Sequence, residues 1–260
     1  MKKAILVAII SAVALGVNAG SHDWGKAPVV DKTPIEECLD IGGSISVGYD
    51  TAFVFYGQRF TDDNIWTDVN YTIDTGIVPL NVGLWYLSGI EDNYDELDLY
   101  VSAELGNYLG FDASLTYVHY YFPTANDPST GDLTLGLSRS LGIVDFSLSA
   151  ASSLGIAGVD YQYYEAGVEK AFVVTDSVDL VLGLGLAYND GYNGVVADWS
   201  HYYVTAALPI ELNCRATLTP YVSYQGAPTG WAADIPNSSQ SITDGQSDIL
   251  YGGVSLSVSF

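Results

Sequence analysis

The chain has 260 residues, 48% of them hydrophobic and only 15% charged, with 20 tyrosines and 27 glycines. Its 31 acidic residues face 8 basic ones, a formal net charge of −23, and such a surface excludes nucleic acid as a partner. Few charges beside many tyrosines argue against an ordinary soluble domain, and no segment approaches the roughly 20 apolar residues of a membrane helix.

Lys2 and Lys3 precede an apolar run from Ala4 to Val17, and Val17-Asn18-Ala19 offers small residues for cleavage. This predicts a secretory signal peptide over 1–19, too short to span a bilayer. Gly20 to Asp40, with Pro28, Pro34 and Cys38, is expected to be a periplasmic segment outside the main domain. Within it Thr33-Pro34-Ile35-Glu36 has the form of a capping box and would suit a single helical turn plugging the periplasmic mouth, but an ordinary disordered lead-in is the expectation.

From Ile41 onward, alternation of period two recurs in twelve segments of about ten residues, the length a tilted membrane strand requires. The first is read as one long strand from Ser44 to Tyr56, and the second as Trp66 to Ile73. The third presents Leu80, Val82, Leu84 and Tyr86 on its apolar face, and the fourth Leu97, Leu99, Val101, Ala103 and Leu105. Seven further segments follow, led by Phe111, Leu133, Val144, Tyr164, Val178, Tyr202 and Leu218. The last runs from Leu250 to Phe260 and alternates without a break. The expected fold is all-β: a transmembrane, antiparallel, up-and-down barrel of twelve strands over 41–260. An even count puts both ends on the periplasmic side. Periplasmic turns then fall at Asp74–Pro79, Gly106–Leu109, Arg139–Gly142, Lys170–Ser177 and Pro209–Cys214. The longest external loop is Gly226–Ser247, which carries Trp231 and is long enough to fold over or into the mouth.

Alternation sends Asp50, Asp68, Glu96, Asp98, Asp112, Asp132 and Glu165 into the lumen, with no lysine or arginine at an inward strand position. Carboxylates facing no cations set up a negative potential that attracts cations and repels anions. The bland alternative is that these acids hydrogen-bond to inward Ser, Thr and Tyr and solvate a closed interior. Trp66, Trp85, Tyr100, Tyr203 and Tyr221 also point inward, where they form an aromatic constriction or serve as ordinary packing. A barrel of this size has a lumen between those of filled eight-stranded and wide sixteen-stranded barrels.

Nucleophilic chemistry has one candidate. His201 points inward beside Ser200, but strict alternation puts Ser200 on the opposite face, against a Ser–His–carboxylate arrangement. No metal or other cofactor is expected; the acidic stretch Glu91–Asp95 lacks the spacing and glycine of an EF-hand loop. Cys38 and Cys214 are the only cysteines. Export permits a disulfide, and in a closed barrel only the last strand separates the two at the periplasmic rim, so a Cys38–Cys214 bridge is expected.

Two resemblances bear on this reading. The alternating tail Val254, Leu256, Val258 and terminal Phe260 resembles the signal by which Gram-negative assembly machinery recognises outer-membrane barrels. The stretch Val47-Gly48-Tyr49-Asp50-Thr51-Ala52-Phe53-Val54-Phe55-Tyr56-Gly57 resembles the opening of a family of predicted Gram-negative outer-membrane barrels of unknown function, whose first strand reads Ser-Asp-Tyr-Val-Phe-Arg-Gly. Asp95–Tyr100, Tyr120–Pro123 and Leu218–Tyr224 are similar to the same group, and Tyr56 stands where that family carries arginine. These resemblances imply the cell outer membrane, with its lipid, lipopolysaccharide and barrel-assembly machinery as partners. The expected function is a porin-like channel for small cations or neutral solutes. The alternatives are an outer-membrane hydrolase acting on lipid or peptide, and a non-conducting structural or surface-interaction barrel.

Overall fold

In the computed structural model, the described residues are 41–124, 129–154, 162–191, 198–226 and 248–260. The proposed signal peptide, the 20–40 segment, Cys38 and the loop containing Trp231 lie outside them.

Twelve antiparallel strands close into a barrel. In chain order they are β1 (Gly43–Asp50), β4 (Asn64–Ile73), β5 (Leu80–Gly89), β6 (Asp95–Tyr108), β7 (Phe111–Tyr121) and β8 (Thr130–Ser140). The remaining six are β9 (Asp145–Ser153), β10 (Gln162–Thr175), β11 (Val178–Asp190), β12 (Asp198–Ala207), β14 (Ala216–Gly226) and β15 (Ile249–Ser259). Each pairs with its neighbour in sequence, and β15 closes the ring on β1 with Val258 opposite Ile45 and Val254 opposite Tyr49. The Phe260 amide donates to the Gly43 carbonyl at 2.9 Å, and the Gly43 amide to Phe260 at 3.1 Å. A Cβ on Gly43 would overlap the Phe260 ring, so the terminal aromatic seals the seam by lying on a glycine. The short β13 (Ile210–Glu211) continues the β12 position beyond Pro209, bridging β11 and β14.

Alternation places the two faces in different surroundings. Outward Val47, Tyr71, Leu99, Leu184 and Val222 are exposed and form an apolar outer wall, as a barrel in lipid requires. Inward partners of the same strands are buried or half-buried and mostly small, polar or aromatic.

The first strand departs from expectation. It ends at Asp50, and the chain then turns into the barrel as a separate two-stranded hairpin, β2 (Phe53–Phe55) and β3 (Gln58–Thr61). The reason lies in the residues. Ala52 through Tyr56 are apolar at every position, so they do not alternate, and all five are buried. A continuous apolar run suits a strand enclosed on both faces, not one that meets lipid on one side. Phe55 pairs with Gln58, and Tyr56 and Gly57 between them have φ of 46° and 80°. Two positive φ angles mark a type I′ turn, at ease for Gly57 and strained by about 1–3 kcal/mol for tyrosine.

The turns at the end bearing Gly43 and Phe260, hereafter the terminal rim, are also tighter than the sequence suggests. β6 and β10 run on to Tyr108 and Thr175, leaving only Leu109-Gly110 and Asp176-Ser177 to turn. Cys214 lies in another of these turns, where Asn213 Oδ1 accepts the amides of Arg215 at 2.9 Å and Ala216 at 3.0 Å. One strand, β15, separates β14 from β1.

Candidate functional site: the barrel lumen

The wall of the lumen is built by cross-strand pairing. Trp66 lies opposite Gly48, Tyr100 opposite Gly83, Tyr203 opposite Gly185 and Tyr221 opposite Gly253. A Cβ at any of these glycines would meet the facing ring, so the four aromatics fold flat against the wall. Trp85 is different: its neighbours on either side are Asp68 and Asp98, and its ring stacks on Phe53 of the hairpin at 5.5 Å. Of the five aromatics expected to constrict the lumen, four therefore line it and one contacts an obstruction supplied from elsewhere.

Tyrosine hydroxyls hold the inward acids. Tyr100 donates to Asp68 at 2.9 Å and Tyr221 to Asp50 at 2.8 Å. Glu165 receives Tyr163 at 2.7 Å and Tyr203 at 2.8 Å, one on each oxygen. Tyr94 donates to Glu96, while Asp132 Oδ2 accepts both Tyr56 at 2.9 Å and Tyr120 at 3.2 Å. Asp112 sits apart at the terminal rim, bonded to Asn107 at 2.9 Å. Asp98 is 1% exposed, and its Oδ1 has no hydrogen-bond partner among the described residues, as is also true of Asp50 Oδ2. On the twelve strands Arg139 and Lys170 share the outward parity of Leu137 and Val168, and lie against the rings of Phe111 and Phe172. Asp50, Asp68, Glu96, Asp132 and Glu165 thus meet phenols, which fix the geometry of these acids without supplying a positive charge.

The hairpin crosses this acidic lumen near the end carrying the longer loops. Phe53 also packs on Phe60 and Tyr94, and Phe55 on Tyr120. Tyr56 stacks between Phe55 at 3.9 Å and Tyr163 at 4.1 Å. On the opposite side, Gln225 Nε2 donates to the Gly57 carbonyl at 2.7 Å, and Val54 joins Tyr251 and Ala52 in a second apolar cluster. A Cβ on Gly57 would strike the His201 ring, so the tip rests directly on that imidazole. The hairpin therefore touches β5, β7, β8, β10, β12, β14 and β15, and it spans the lumen between these strands. Arg59, its one basic residue, pairs with Asp62 at 3.1 Å.

Sequence reasoning missed this hairpin, and with it Tyr163. The available signal was the loss of alternation over Ala52–Tyr56, followed by Gly57 as a turn residue. A second correction concerns Ser200. The β11–β12 register shifts, with Ala187 opposite His201 and Tyr188 opposite Trp199, so Ser200 is the extra residue of a bulge. Ser200 and His201 are both buried on the inner side, with Ser200 Oγ 3.0 Å from His201 Nδ1. That contact is the imidazole's one hydrogen bond among the described residues, and no carboxylate there orients the ring as a nucleophilic triad demands.

No family model matches this chain, and no curated protein matches it. Solved structures do. An outer membrane channel from Pseudomonas putida F1 superposes with a TM-score of 0.54 at 15% identity, covering 89% of this chain and 100% of that one. The KdgM porin superposes with a TM-score of 0.52 at 9% identity, covering 84% of this chain and 99% of that one. The fold is that of an outer-membrane β-barrel. At such identities the likeness establishes architecture alone.

Proposed function

We propose that this chain is a channel of the Gram-negative outer membrane that passes small cations or neutral solutes through a narrow lumen. The observation that carries the reading is the charge of the inner wall. Asp50, Asp68, Glu96, Asp98, Asp132 and Glu165 face inward, and the barrel-strand cations Arg139 and Lys170 lie on the outer side. A wall of this sign raises the local cation concentration and excludes anions. The channel neighbours support the same reading, as do the apolar outer wall and the aromatic C-terminus. Assembly machinery would read Val254, Leu256, Val258 and Phe260, after export through the 1–19 leader. A Cys38–Cys214 bridge would strap the N-terminal segment across the closing seam, and non-reducing mass spectrometry of exported protein tests it.

Reversal potentials in planar bilayers under a salt gradient test the channel directly. The expected cation-to-anion permeability ratio is above one, and a ratio at or below one would overturn the proposal. One observation favours a second reading: the hairpin spans the lumen, as suits a barrel that presents surface loops and conducts nothing. Complete absence of ion flux through folded protein would select that reading. The hydrolase alternative has only the Ser200–His201 contact behind it. Unchanged lipid profiles and proteolysis on substituting His201 would remove it.

A further inference from the structure

We infer that the socket formed by Tyr163, Tyr120 and Asp132 is a binding site for a neutral pyranose sugar, and that Tyr56 occupies it as an internal competitor. The inference rests on the channel reading for how solute reaches the lumen, but not for the site itself.

Tyr56 is held by contacts of the kind a ligand makes. Its ring stacks on Tyr163 at 4.1 Å with an interplanar angle of 28°, and its hydroxyl donates to Asp132 Oδ2 at 2.9 Å. The same oxygen takes the Tyr120 hydroxyl at 3.2 Å. Its φ of 46° is one that a bulky side chain rarely adopts, so these contacts, not backbone preference, hold it in place. The walls of the socket belong to β7, β8 and β10, which are fixed in the barrel ladder. The occupant does not. β2 and β3 form a sheet of their own, and the hairpin is tied to the wall at its two bases and, through the Gly57 carbonyl, to Gln225 at its tip. At one base, the Thr51 amide donates to Gly252 at 2.9 Å; at the other, the Ile90 amide donates to the Asp63 carbonyl at 2.7 Å. Withdrawal of the tip leaves the ladder intact and exposes an aromatic face next to a carboxylate acceptor.

A pyranose matches what Tyr56 supplies: a six-membered ring whose C–H face stacks on Tyr163, and a hydroxyl that donates to Asp132. Glu96 and Asp98, on the adjoining wall, disfavour the uronate form of the same sugar. Sugar binding and hairpin insertion then exclude one another, so a solute that fits opens its own path.

The test uses full-length protein folded in detergent, with methyl β-glucopyranoside as the calorimetric probe. If Tyr56 holds the socket nine-tenths of the time, apparent affinity is weakened about tenfold. Tyr56→Ala is therefore expected to bind the probe about tenfold more tightly than the native chain. Tyr56→Phe, which keeps the ring and the fold but loses the donation, is expected to bind with intermediate affinity. Asp132→Asn added to Tyr56→Ala is expected to abolish the gain. Unchanged or weaker binding by both Tyr56 variants would overturn the inference, as would equally tight binding of methyl β-glucuronide. Cation-selective conductance without sugar competition would remove the socket and leave the channel. Competition without conductance would do the reverse.

Discussion

The two halves of the lumen are built on different principles. Near the loops, Phe53, Phe55, Tyr56, Trp85, Tyr120 and Tyr163 pack as one cluster, and the neighbouring Glu96, Asp132 and Glu165 are each held by a phenol. Toward the terminal rim, the wall is stitched by small polar pairs. Ser46 donates to Ser257 at 3.0 Å, Thr116 to Ser102 at 2.9 Å, and Thr205 and Ser223 share a bond of 2.9 Å. Asn70 reaches Asp68 at 2.7 Å, and Asn81 reaches Thr72 at 3.2 Å. One half resembles the interior of a soluble protein, and the other a hydrated wall. In the proposed channel, the difference picks out the element that would control passage: a hairpin with a side-chain core and no ladder to the wall.

Substitutions sharpen the contrast in order of expected size. Phe53→Ala removes a fully buried ring that contacts Trp85, Phe60 and Tyr94. It should destabilise the fold by about 3–5 kcal/mol in urea unfolding from micelles. A loss below about 1 kcal/mol would mean that the hairpin is not seated as described. Tyr221→Phe should cost about 1–3 kcal/mol by the same measure, because Asp50 loses its phenol while its other oxygen has no partner among the described residues. Ser46→Ala, in the polar half, removes one hydroxyl pair and should change stability by about 1 kcal/mol or less. If the serine variant proved the most damaging of the three, the division into a packed half and a hydrated half would fail.

Much of this architecture was legible in the sequence because a barrel wall separates two solvents, and period-two alternation records that separation residue by residue. Leu250 to Phe260 is the plainest instance: β15 closes on β1 with Val254 and Val258 outward. Asp68, Trp85 and Glu165 could be placed inward by the same rule. The rule fails where a segment meets only one environment. Ala52–Tyr56 is enclosed on both sides, so its unbroken apolarity was absorbed into an over-long first strand. It also fails where one residue is inserted. The bulge at Ser200 brings that hydroxyl to the face of His201, and nothing in Trp199-Ser200-His201 marks the shift. The aromatics over Gly48, Gly83, Gly185 and Gly253 were readable as inward but not as flat. That depends on which glycine lies across the ladder, and hence on register.

Tyr56 makes the comparison local. At the hairpin tip this chain places a phenol that donates to Asp132. Tyr56→Arg would set a permanent cation against that carboxylate, hold the hairpin more firmly and lower conductance, with the midpoint of urea unfolding rising or unchanged. Unchanged conductance in this variant would show that the tip does not restrain passage.

The most direct test of the account is single-channel conductance with and without the hairpin, under a salt gradient, replacing Phe53–Thr61 by a short glycine-serine linker. The account predicts larger conductance in the deletion, with cations still preferred because the wall carboxylates remain. Equal conductance in the two proteins, or a switch to anion preference, would contradict it.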